Sequence, residues 1–342
     1  MKTMHGRQFG ERQTNVPVLL LHNVDAKWRK REREEAHDAA TKLENGLRDE
    51  GHPVTTITVD GPHLQLLLDG HEPERFVVFN WCEELPGVPR SEPVVAYTLE
   101  RLGYVFTGAR GDALATAWDK PRVKRLLERR RIPTPRWRIF PTPDVEEWDT
   151  YPAIVKLAYE HCSLGVGTDA VVLSPQRLRE RIAQSLDEHG EPTLIEEFID
   201  GREFHVTVWG DGRLRMLPPA EMTFAAFDDL RDRLCTFDSK FAPASRHYRE
   251  IGLELPASLS EQEQAQLKRA VSGAFRAVGC RDYARIDVRL RDDVFYVLDV
   301  NPNPDLTPET STVSAAEVAG YSYGALASQI VNFAARRHPA FS

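Results

Sequence analysis

Two carboxylates and one amide near the end of the sequence have the types and the spacing of a divalent-metal site. In YARIDVRL polar and apolar residues alternate, so that Arg285 and Asp287 lie on the polar face of a predicted strand. The next predicted strand is VFYVLDVN, where the same alternation places Val297, Asp299 and Asn301 on one face. If the two apolar faces share one core, both aspartates and the asparagine are within reach of one ion. Such oxygen ligands suit Mg²⁺, which keeps coordination sites for phosphate.

This hairpin carries two structural expectations and one alternative. For Asp287 to lie on the same face as Asp299 and Asn301, the loop around Asp292 must contain an odd number of residues. Asp287 then lies opposite Val297 or Asp299. The residues of the second strand that share the apolar face are then Tyr296, Leu298 and Val300. The alternative is an ordinary solvated sheet face, because acidic strands of this kind are common and need hold no metal.

A larger fold must position this hairpin, and the first third of the sequence predicts an open α/β unit. Apolar runs of strand length lie at residues 16–23, 53–59 and 75–81. Amphipathic stretches that end at Gly51 and Gly103 predict helices. Strands that alternate with helices imply parallel βαβ units.

The rest of the chain predicts further strands and helices. A helix is expected to begin at Lys120, since Pro121 suits a first turn, and prolines interrupt the stretch that follows. Residues 152–156 and 193–199 are predicted strands, separated by a glycine-containing loop and a helix. Ser260 and Glu263 form a capping box for a helix that ends at Gly279, and a last helix is expected at residues 322–336. The expected division is a flexible tail at 1–15, an N-terminal domain at 16–115, a middle subdomain at 116–197 and a C-terminal subdomain at 198–342.

The composition narrows the class of protein. The 342 residues are 41% hydrophobic and 28% charged, which excludes disordered, collagen-like and membrane classes. A formal net charge of -8 disfavours nucleic acid or an anionic membrane as the main partner. The four cysteines have no CxxC spacing, so their spacing predicts neither a zinc site nor a disulfide framework, and a reducing cytoplasm fits best. We see no secretion signal and no membrane span.

Several segments together resemble the D-alanine-D-alanine ligase branch of the ATP-grasp superfamily. GCRDYARIDVRL and YVLDVNPNPDL are similar to the metal-binding end of that family. Four further segments resemble successive motifs of the family in the same order, namely WDKPRVKRLL, AIVKLAYEHCSLGVG, LIEEFIDGREFHVTV and AGYSYGALASQIVNFA. FNWCEE and YVFTGA resemble its N-terminal domain. The resemblance covers about residues 75 to 335. It implies a three-part α/β architecture, with an N-terminal open α/β domain, a middle α+β lid and a C-terminal α+β domain, and with ATP between the last two.

The resemblance implies a phosphate site in the middle subdomain. Lys156 matches a lysine that touches the α- and β-phosphates, and Lys120 matches a second lysine on the phosphate side, where an ammonium neutralises charge. Backbone N-H groups of the loop would approach the phosphates, and the loop residues concerned are Ser163, Gly165 and Gly167. For Lys156 alone, the alternative is a strand-end lysine that extends to solvent.

The adenine and ribose are assigned to the next strand by the same resemblance. The matching residues are Glu196, Glu197, Phe198 and Ile199. Glu196 would read the adenine edge with its side chain, and Phe198 and Ile199 with their backbone groups. Glu203 would accept the ribose hydroxyls. The alternative is a strand bordered by exposed glutamates.

The catalytic and metal roles follow from the same match. Arg285 would face the tetrahedral intermediate, where a forked cation stabilises oxyanion charge; the alternative is an ion pair with Asp287 or Asp299. Lys240 would close over the γ-phosphate, against the alternative of an exposed loop lysine. The resemblance also implies a metal site with the ligands Asp287, Asp299 and Asn301. These residues would bind two Mg²⁺ ions, which Mn²⁺ could replace.

Departures from the family lie on the amino-acid side. HNVDAKWRKRERE follows the first strand where the family has a glycine-rich turn, Asp299 replaces a glutamate, and PNPDLTPETS lacks the expected Ser-Leu contacts. We therefore expect an ATP-dependent carboxylate-amine ligase that acts through an acyl phosphate and joins amino acids or a small peptide other than two D-alanines. Its partners are small molecules, and a homodimer is compatible with the family. The alternatives are an ATP-grasp phosphotransferase and a non-catalytic nucleotide-binding module.

Overall fold

The structure is a computed structural model that describes residues 13–160 and 165–342. The predicted tail therefore lies outside the described residues except at residues 13–15, where the backbone N-H of Gln13 donates to Asn332 Oδ1 at 2.7 Å. The division of the chain into domains stays a prediction. Within the described residues, no helix combines the length and the apolar character that crossing a membrane requires.

The first sheet is the parallel α/β unit that the sequence predicts. Its strands, in the spatial order β2-β1-β3-β4, are β1 (Val18–Asn23), β2 (Val54–Val59), β3 (Val77–Trp81) and β4 (Val105–Phe106). The helices of this part are α1 (Lys30–Asp49), α2 (Leu64–Leu67), α3 (Glu92–Arg101) and α4 (Gly111–Trp118). Prediction of α1 and α3 is confirmed, whereas α2 and α4 were not predicted.

The second sheet is antiparallel and has the order β5-β8-β6-β7. Its elements are α5 (Lys120–Arg129), β5 (Trp137–Phe140), β6 (Ala153–Leu157), β7 (Val171–Val172), α6 (Pro175–His189) and β8 (Thr193–Glu197). The helix α6 buries Leu178 and Ile182 against the sheet. The strand β5 was missed because prolines surround it, and its place at the sheet edge explains why they are tolerated.

The third sheet carries the predicted metal hairpin. Its order is β12-β11-β9-β13-β14, with β10 paired to β9. Its strands are β9 (Arg202–Gly210), β10 (Arg215–Met216), β11 (Ala220–Thr223), β12 (Gly252–Glu254), β13 (Asp282–Arg291) and β14 (Val294–Asn301). The remaining helices are α7 (Asp238–Phe241), α8 (Arg246–Glu250), α9 (Glu261–Val278), α10 (Ser311–Val318) and α11 (Tyr323–Ala335). The predicted capping box of α9 is present, and Gly279 ends this helix with a φ of 84°.

The turn of the β13-β14 hairpin differs from the prediction. Two residues, Asp292 and Asp293, connect the strands, and both have positive φ, as a tight two-residue turn requires. A bulge next to Asp287 supplies the odd residue that we had assigned to the loop, so that Asp287 pairs with Asp299. The bulge also changes which side chains face the core. Phe295, Val297 and Val300 are buried there, so the predicted apolar set of Tyr296, Leu298 and Val300 was wrong in its first two members.

The last helix packs on the first sheet. One core contains Leu20 and Phe79 from that sheet together with Ile330 and Phe333 from α11. The helices α1 and α11 approach so closely that a Cβ on Gly324 would lie 2.4 Å from the carbonyl oxygen of Gly46. Only glycine allows this contact, which ties the end of the described chain to its beginning.

Candidate functional site

A single cavity of about 870 Å³ is lined by residues from all three sheets and from the loops between them. The predicted site residues that line it are Lys120, Lys156, Glu196, Glu197, Phe198, Ile199, Glu203, Lys240, Arg285, Asp287, Asp299 and Asn301. The structure thus brings together side chains that are up to 181 positions apart, from Lys120 to Asn301.

The lysines of the middle part converge on Glu196. Lys156 lies on β6 and its Nζ is 2.5 Å from Glu196 Oε2. Lys124 on α5 binds the other carboxylate oxygen, and its side chain is only 2% exposed. Burial disfavours the charged carboxylate, but the two ammonium groups outweigh it and lower the pKa of Glu196 to about 2. Glu196 thus fixes both lysines, and its carboxylate is already engaged where we had assigned it to adenine.

Lys124 does not line the cavity but supports the lining residue Glu196, and we did not predict this role. Its Nζ also donates to Thr134 Oγ1 and to the carbonyl oxygen of Leu298, both at 2.9 Å. Lys124 follows Lys120 by four positions on the same helix, and this spacing was the available signal. Asp119 caps the helix by accepting from the N-H of Arg122 at 2.8 Å, which places Lys120 at the first turn.

Lys120 contacts the carbonyl oxygen of Glu160 through its Nζ and lines the cavity. Burial lowers the pKa of Lys120, although Asp299 acts in the opposite direction. For Lys156, burial also opposes the charge, but the attraction of Glu196 raises the pKa above its usual value. Two ammonium groups thus face the cavity from neighbouring elements.

In the segment that is predicted to bind adenine, several polar groups already form hydrogen bonds within the protein. The N-H of Phe198 donates to the carbonyl oxygen of Pro152 at 2.9 Å, and Ile199 O accepts from Arg289 Nη1 at 2.8 Å. Glu197 binds Arg291 Nη2 at 2.7 Å. The buried side chains of Phe198 and Ile199 still form an apolar wall, which suits a flat ring better than an edge contact at the Phe198 N-H.

Glu203 on β9 is held by Arg289 on β13. Its Oε2 accepts from Arg289 Nε at 2.8 Å, and the guanidinium lies over the ring of Phe198 at 4.5 Å. Burial disfavours the carboxylate of Glu203, but Arg289 and then His205 lower its pKa to about 2. The polar face YARIDVRL already contained Arg289, four residues after Arg285, so the signal for this residue was present.

The hairpin that is predicted to bind metal has its two carboxylates and its amide side by side. Arg285 Nε and Nη2 donate to the two oxygens of Asp287 at 2.8 and 3.0 Å, which is one of the alternatives that the sequence left open. Asn301 Nδ2 donates to Asp287 Oδ2 at 3.2 Å, and Asp299 faces Asp287 across the hairpin. Burial opposes the charge of Asp287, but Arg285 keeps the pKa of this carboxyl well below its usual range. An ionised carboxylate, a second one opposite and an amide fit a hard cation such as Mg²⁺.

The described part of the glycine-containing loop after β6, residues 165–167, lies next to the loop that leads to Lys240. Ser163 lies outside the described residues. Gly165 has a φ of 71° and its carbonyl oxygen accepts from Arg181 Nη2 at 2.8 Å, whereas a Cβ on Gly167 would lie 2.8 Å from Asp169 Oδ1. The carbonyl oxygen of Val166 accepts from the N-H of Phe237 at 3.2 Å, and three residues later Lys240 lines the cavity. Lys240 is close enough to Asp287 to help lower its pKa.

A group of carboxylates that we did not predict lines the same cavity, and we call it the acidic group: Glu83, Glu84, Glu92 and Asp305. Glu92 accepts from Trp118 Nε1 at 3.1 Å, and burial raises its pKa to about 8. The pKa of Glu83 is raised to about 7, because the surrounding protein reduces its solvation and because Asp305 and Glu84 carry like charges. The side chain of Glu83 is nevertheless open to the cavity. FNWCEE was part of the resemblance, but no glutamate in it had been assigned a role.

The chain is similar in sequence to D-alanine-D-alanine ligases. Residues 134–332 match the family described as the C-terminal domain of D-Ala-D-Ala ligases. The D-alanine-D-alanine ligase of Gluconobacter oxydans is 32% identical over 85% of this chain and 91% of its own. An uncharacterized protein of Sinorhizobium fredii, y4sG, is 33% identical over 77% of this chain and 75% of its own.

A solved structure with a similar fold is that of D-alanine-D-alanine ligase from Bacillus anthracis, crystallised with ATP. It superposes with a TM-score of 0.71 at 20% sequence identity, over 94% of this chain and 98% of that one. This likeness confirms the predicted α/β ATP-grasp architecture.

Proposed function

The chain belongs to the D-alanine-D-alanine ligase family, and from this premise we propose that it uses ATP to join the carboxylate of one small molecule to the amine of another. The observation that carries the proposal is the convergence on one cavity of two phosphate-type lysines, an arginine and the oxygen ligands of the hairpin. These are the groups that a ligation through an acyl phosphate requires.

The first chemical step is attack of the substrate carboxylate on the γ-phosphate. An oxygen-phosphorus bond forms, the bond to the β-phosphate oxygen breaks, and ADP leaves. Lys120 and Lys156 hold the phosphates, and Lys240 covers the γ-phosphate from its loop. Asp287, Asp299 and Asn301 would hold Mg²⁺, which offsets the negative charge on the phosphates.

The second step is attack of the amine on the activated carbonyl. The carbon-nitrogen bond forms, the amine loses a proton, and phosphate leaves with the electron pair of the carbon-oxygen bond. Arg285 is held in a fixed direction by two hydrogen bonds to Asp287, so it can meet the oxyanion without reorganising. The acidic group offers carboxyl oxygens, which accept hydrogen bonds, to a substrate that carries an ammonium.

We infer that the substrates differ from two D-alanines. The support comes from the amino-acid side of the cavity, where Trp28, Glu83 and Asp305 line the wall and the glycine-rich turn and the Ser-Leu pair of the family are absent from the sequence. The substrate class is that of amino acids or short peptides.

The test is a hydroxylamine trap. The protein is incubated with ATP, Mg²⁺ and D- or L-amino acids or short peptides one at a time, and hydroxamate and free phosphate are measured together. An acyl phosphate reacts with hydroxylamine to give a hydroxamate, which a phosphorylated alcohol cannot do. We expect both products with at least one carboxylate and neither product from Arg285→Ala. A stable phosphorylated acceptor with no hydroxamate would replace ligation by phosphotransfer.

A further inference from the structure

Three side chains with different ligand atoms meet in the cavity wall beside Arg289. Glu203 and His205 are two positions apart on β9 and therefore face the same side of the sheet. Cys235 comes from the segment between β11 and α7. A carboxylate oxygen, an imidazole nitrogen and the sulfur all lie within 4.8 Å of one another, and Glu203 Oε1 is 3.7 Å from His205 Nε2.

We propose that Glu203, His205 and Cys235 form a second metal site for a thiophilic divalent cation such as Zn²⁺, next to the hairpin, where Asp287 pairs with His205. Zinc in catalytic-type sites takes three protein ligands of this kind and leaves a fourth position open. Ligand atoms around one tetrahedral zinc ion lie roughly 3.5 Å apart, given bond lengths of about 2.0 to 2.3 Å. The carboxylate and the imidazole already have this spacing. The sulfur lies within 4.8 Å of both ligand atoms, so the site needs an inward shift of the sulfur by at most about 1 Å.

Neighbouring side chains favour metal binding by two of the three ligands, Glu203 and Cys235. Arg289 binds Glu203 Oε2, so this carboxylate is ionised and its Oε1 is directed to His205. The thiol of Cys235 donates a hydrogen bond to Glu203, and the metal would replace its proton, which is released to solvent. Arg289 and Lys240 place positive charge near the sulfur, so affinity depends on the Zn-S and Zn-N bonds rather than on excess negative charge.

The proposed site would regulate the enzyme by competition. The family resemblance implies that Glu203 accepts the ribose hydroxyls of ATP, and this part of the inference rests on that role and on the proposed ATP-dependent function. A carboxylate that is bound to zinc cannot also accept from ribose in the same geometry. Zinc would therefore exclude the nucleotide, whereas Mg²⁺ would not, because it prefers oxygen ligands over sulfur and nitrogen.

The first experiment tests the metal site alone. The full chain, without nucleotide, is titrated with Co²⁺ as a spectroscopic substitute for Zn²⁺, and the thiolate-to-cobalt charge-transfer absorption is recorded. We expect this band in the wild type, its loss in Cys235→Ser, and its weakening in His205→Gln. Matched controls are Cys280→Ser and Cys82→Ser, which should keep the band. Absence of the band in the wild type, or its persistence in Cys235→Ser, would overturn the proposal.

The second experiment tests competition. A non-hydrolysable ATP analogue is titrated calorimetrically in the presence of Mg²⁺, with and without Zn²⁺ at about ten times its dissociation constant. We expect roughly tenfold weaker nucleotide binding with Zn²⁺ in the wild type and no zinc effect in Cys235→Ser. Unchanged nucleotide affinity in zinc-loaded wild type would refute competition. If the analogue does not bind even without Zn²⁺, the proposed function fails instead, and the cobalt spectra still decide the metal site.

Discussion

Lys124 and Glu196 form an ion pair from which water is almost completely excluded, since their side chains are 2% and 1% exposed. The same carboxylate binds Lys156, which lines the cavity. The pair thus joins α5 to the strands β6 and β8 and holds a candidate phosphate ligand in place.

Lys124→Met should lower the free energy of unfolding by about 3 to 5 kcal/mol, because it leaves part of a buried charge uncompensated. Urea unfolding followed by circular dichroism measures the change. Arg125→Met is the matched control, since Arg125 is exposed on the same helix, and it should change stability by no more than about 0.5 kcal/mol. Equal stability of the two variants would show that the pair does not support the fold.

Lys156→Met should weaken binding of a non-hydrolysable ATP analogue by about tenfold or more, because a hydrogen bond to a charged group contributes about 1.5 to 3 kcal/mol. Lys120→Arg should have a smaller effect, since it keeps a cation at its position. Calorimetric titration measures both affinities, and thermal unfolding verifies that each variant is folded. Wild-type affinity in Lys156→Met would mean that this lysine serves only to bind Glu196.

Asp299→Ala and Asn301→Ala should abolish turnover while the fold stays intact, because each removes a proposed metal ligand and creates no core cavity. Phosphate release in the presence of Mg²⁺ reports activity, and circular dichroism reports folding. The control is Asp292→Asn at the turn of the same hairpin, where asparagine tolerates the positive φ. Normal turnover in either alanine variant would contradict the metal assignment.

Glu203 should make the protein sensitive to acid. The pKa of Glu203 is lowered to about 2 in the folded state from an ordinary 4.5, so its contribution to stability is complete above the ordinary value and is lost as the pH falls toward 2. Glu203→Gln removes this titration. The stability difference between wild type and variant should therefore shrink between pH 5 and about 2, as measured by urea unfolding at each pH. A pH-independent difference would argue against ionised Glu203.

Glu92 should make the protein less stable as the pH rises. Burial raises the pKa of Glu92 to about 8, so the folded state prefers the protonated acid, and stability is lost as the pH rises from the ordinary 4.5 toward 8. Glu92→Gln keeps an acceptor for Trp118 Nε1 and cannot ionise. We expect the variant to gain stability relative to the wild type over this interval, as thermal unfolding would show. A constant difference across the interval would exclude this titration.

The sequence was sufficient for the parallel first sheet, the capped helix α9 and the polar face of β13, because each depends on local periodicity. It was not sufficient for the register of β14. A two-residue turn with a bulge and a longer turn without one both bring Asp287 close to Asp299, but they send Tyr296 and Val297 to opposite faces. Packing of Val297 in the core distinguishes them, and no local pattern contains that information.

The cavity was only partly predictable for a related reason. Resemblance gave roles to Lys120 and Lys156, whereas Lys124 and Arg289 lie within matching segments without an assigned role, and only their spacing pointed to them. Cys235 comes next to His205 solely through the path of the segment after β11. Contacts of this kind depend on tertiary structure, which single-sequence periodicity does not describe.

The packing of α11 against the first sheet also determines the order in which this chain can fold. Leu20 and Phe79 are synthesised early, yet their partners in α11 leave the ribosome more than two hundred residues after β4. At synthesis rates of about 5 to 20 residues per second, this delay is on the order of 10 to 40 s. During that time the nascent first sheet presents an apolar surface that its own chain cannot yet cover, and we expect chaperones to bind such a surface during translation.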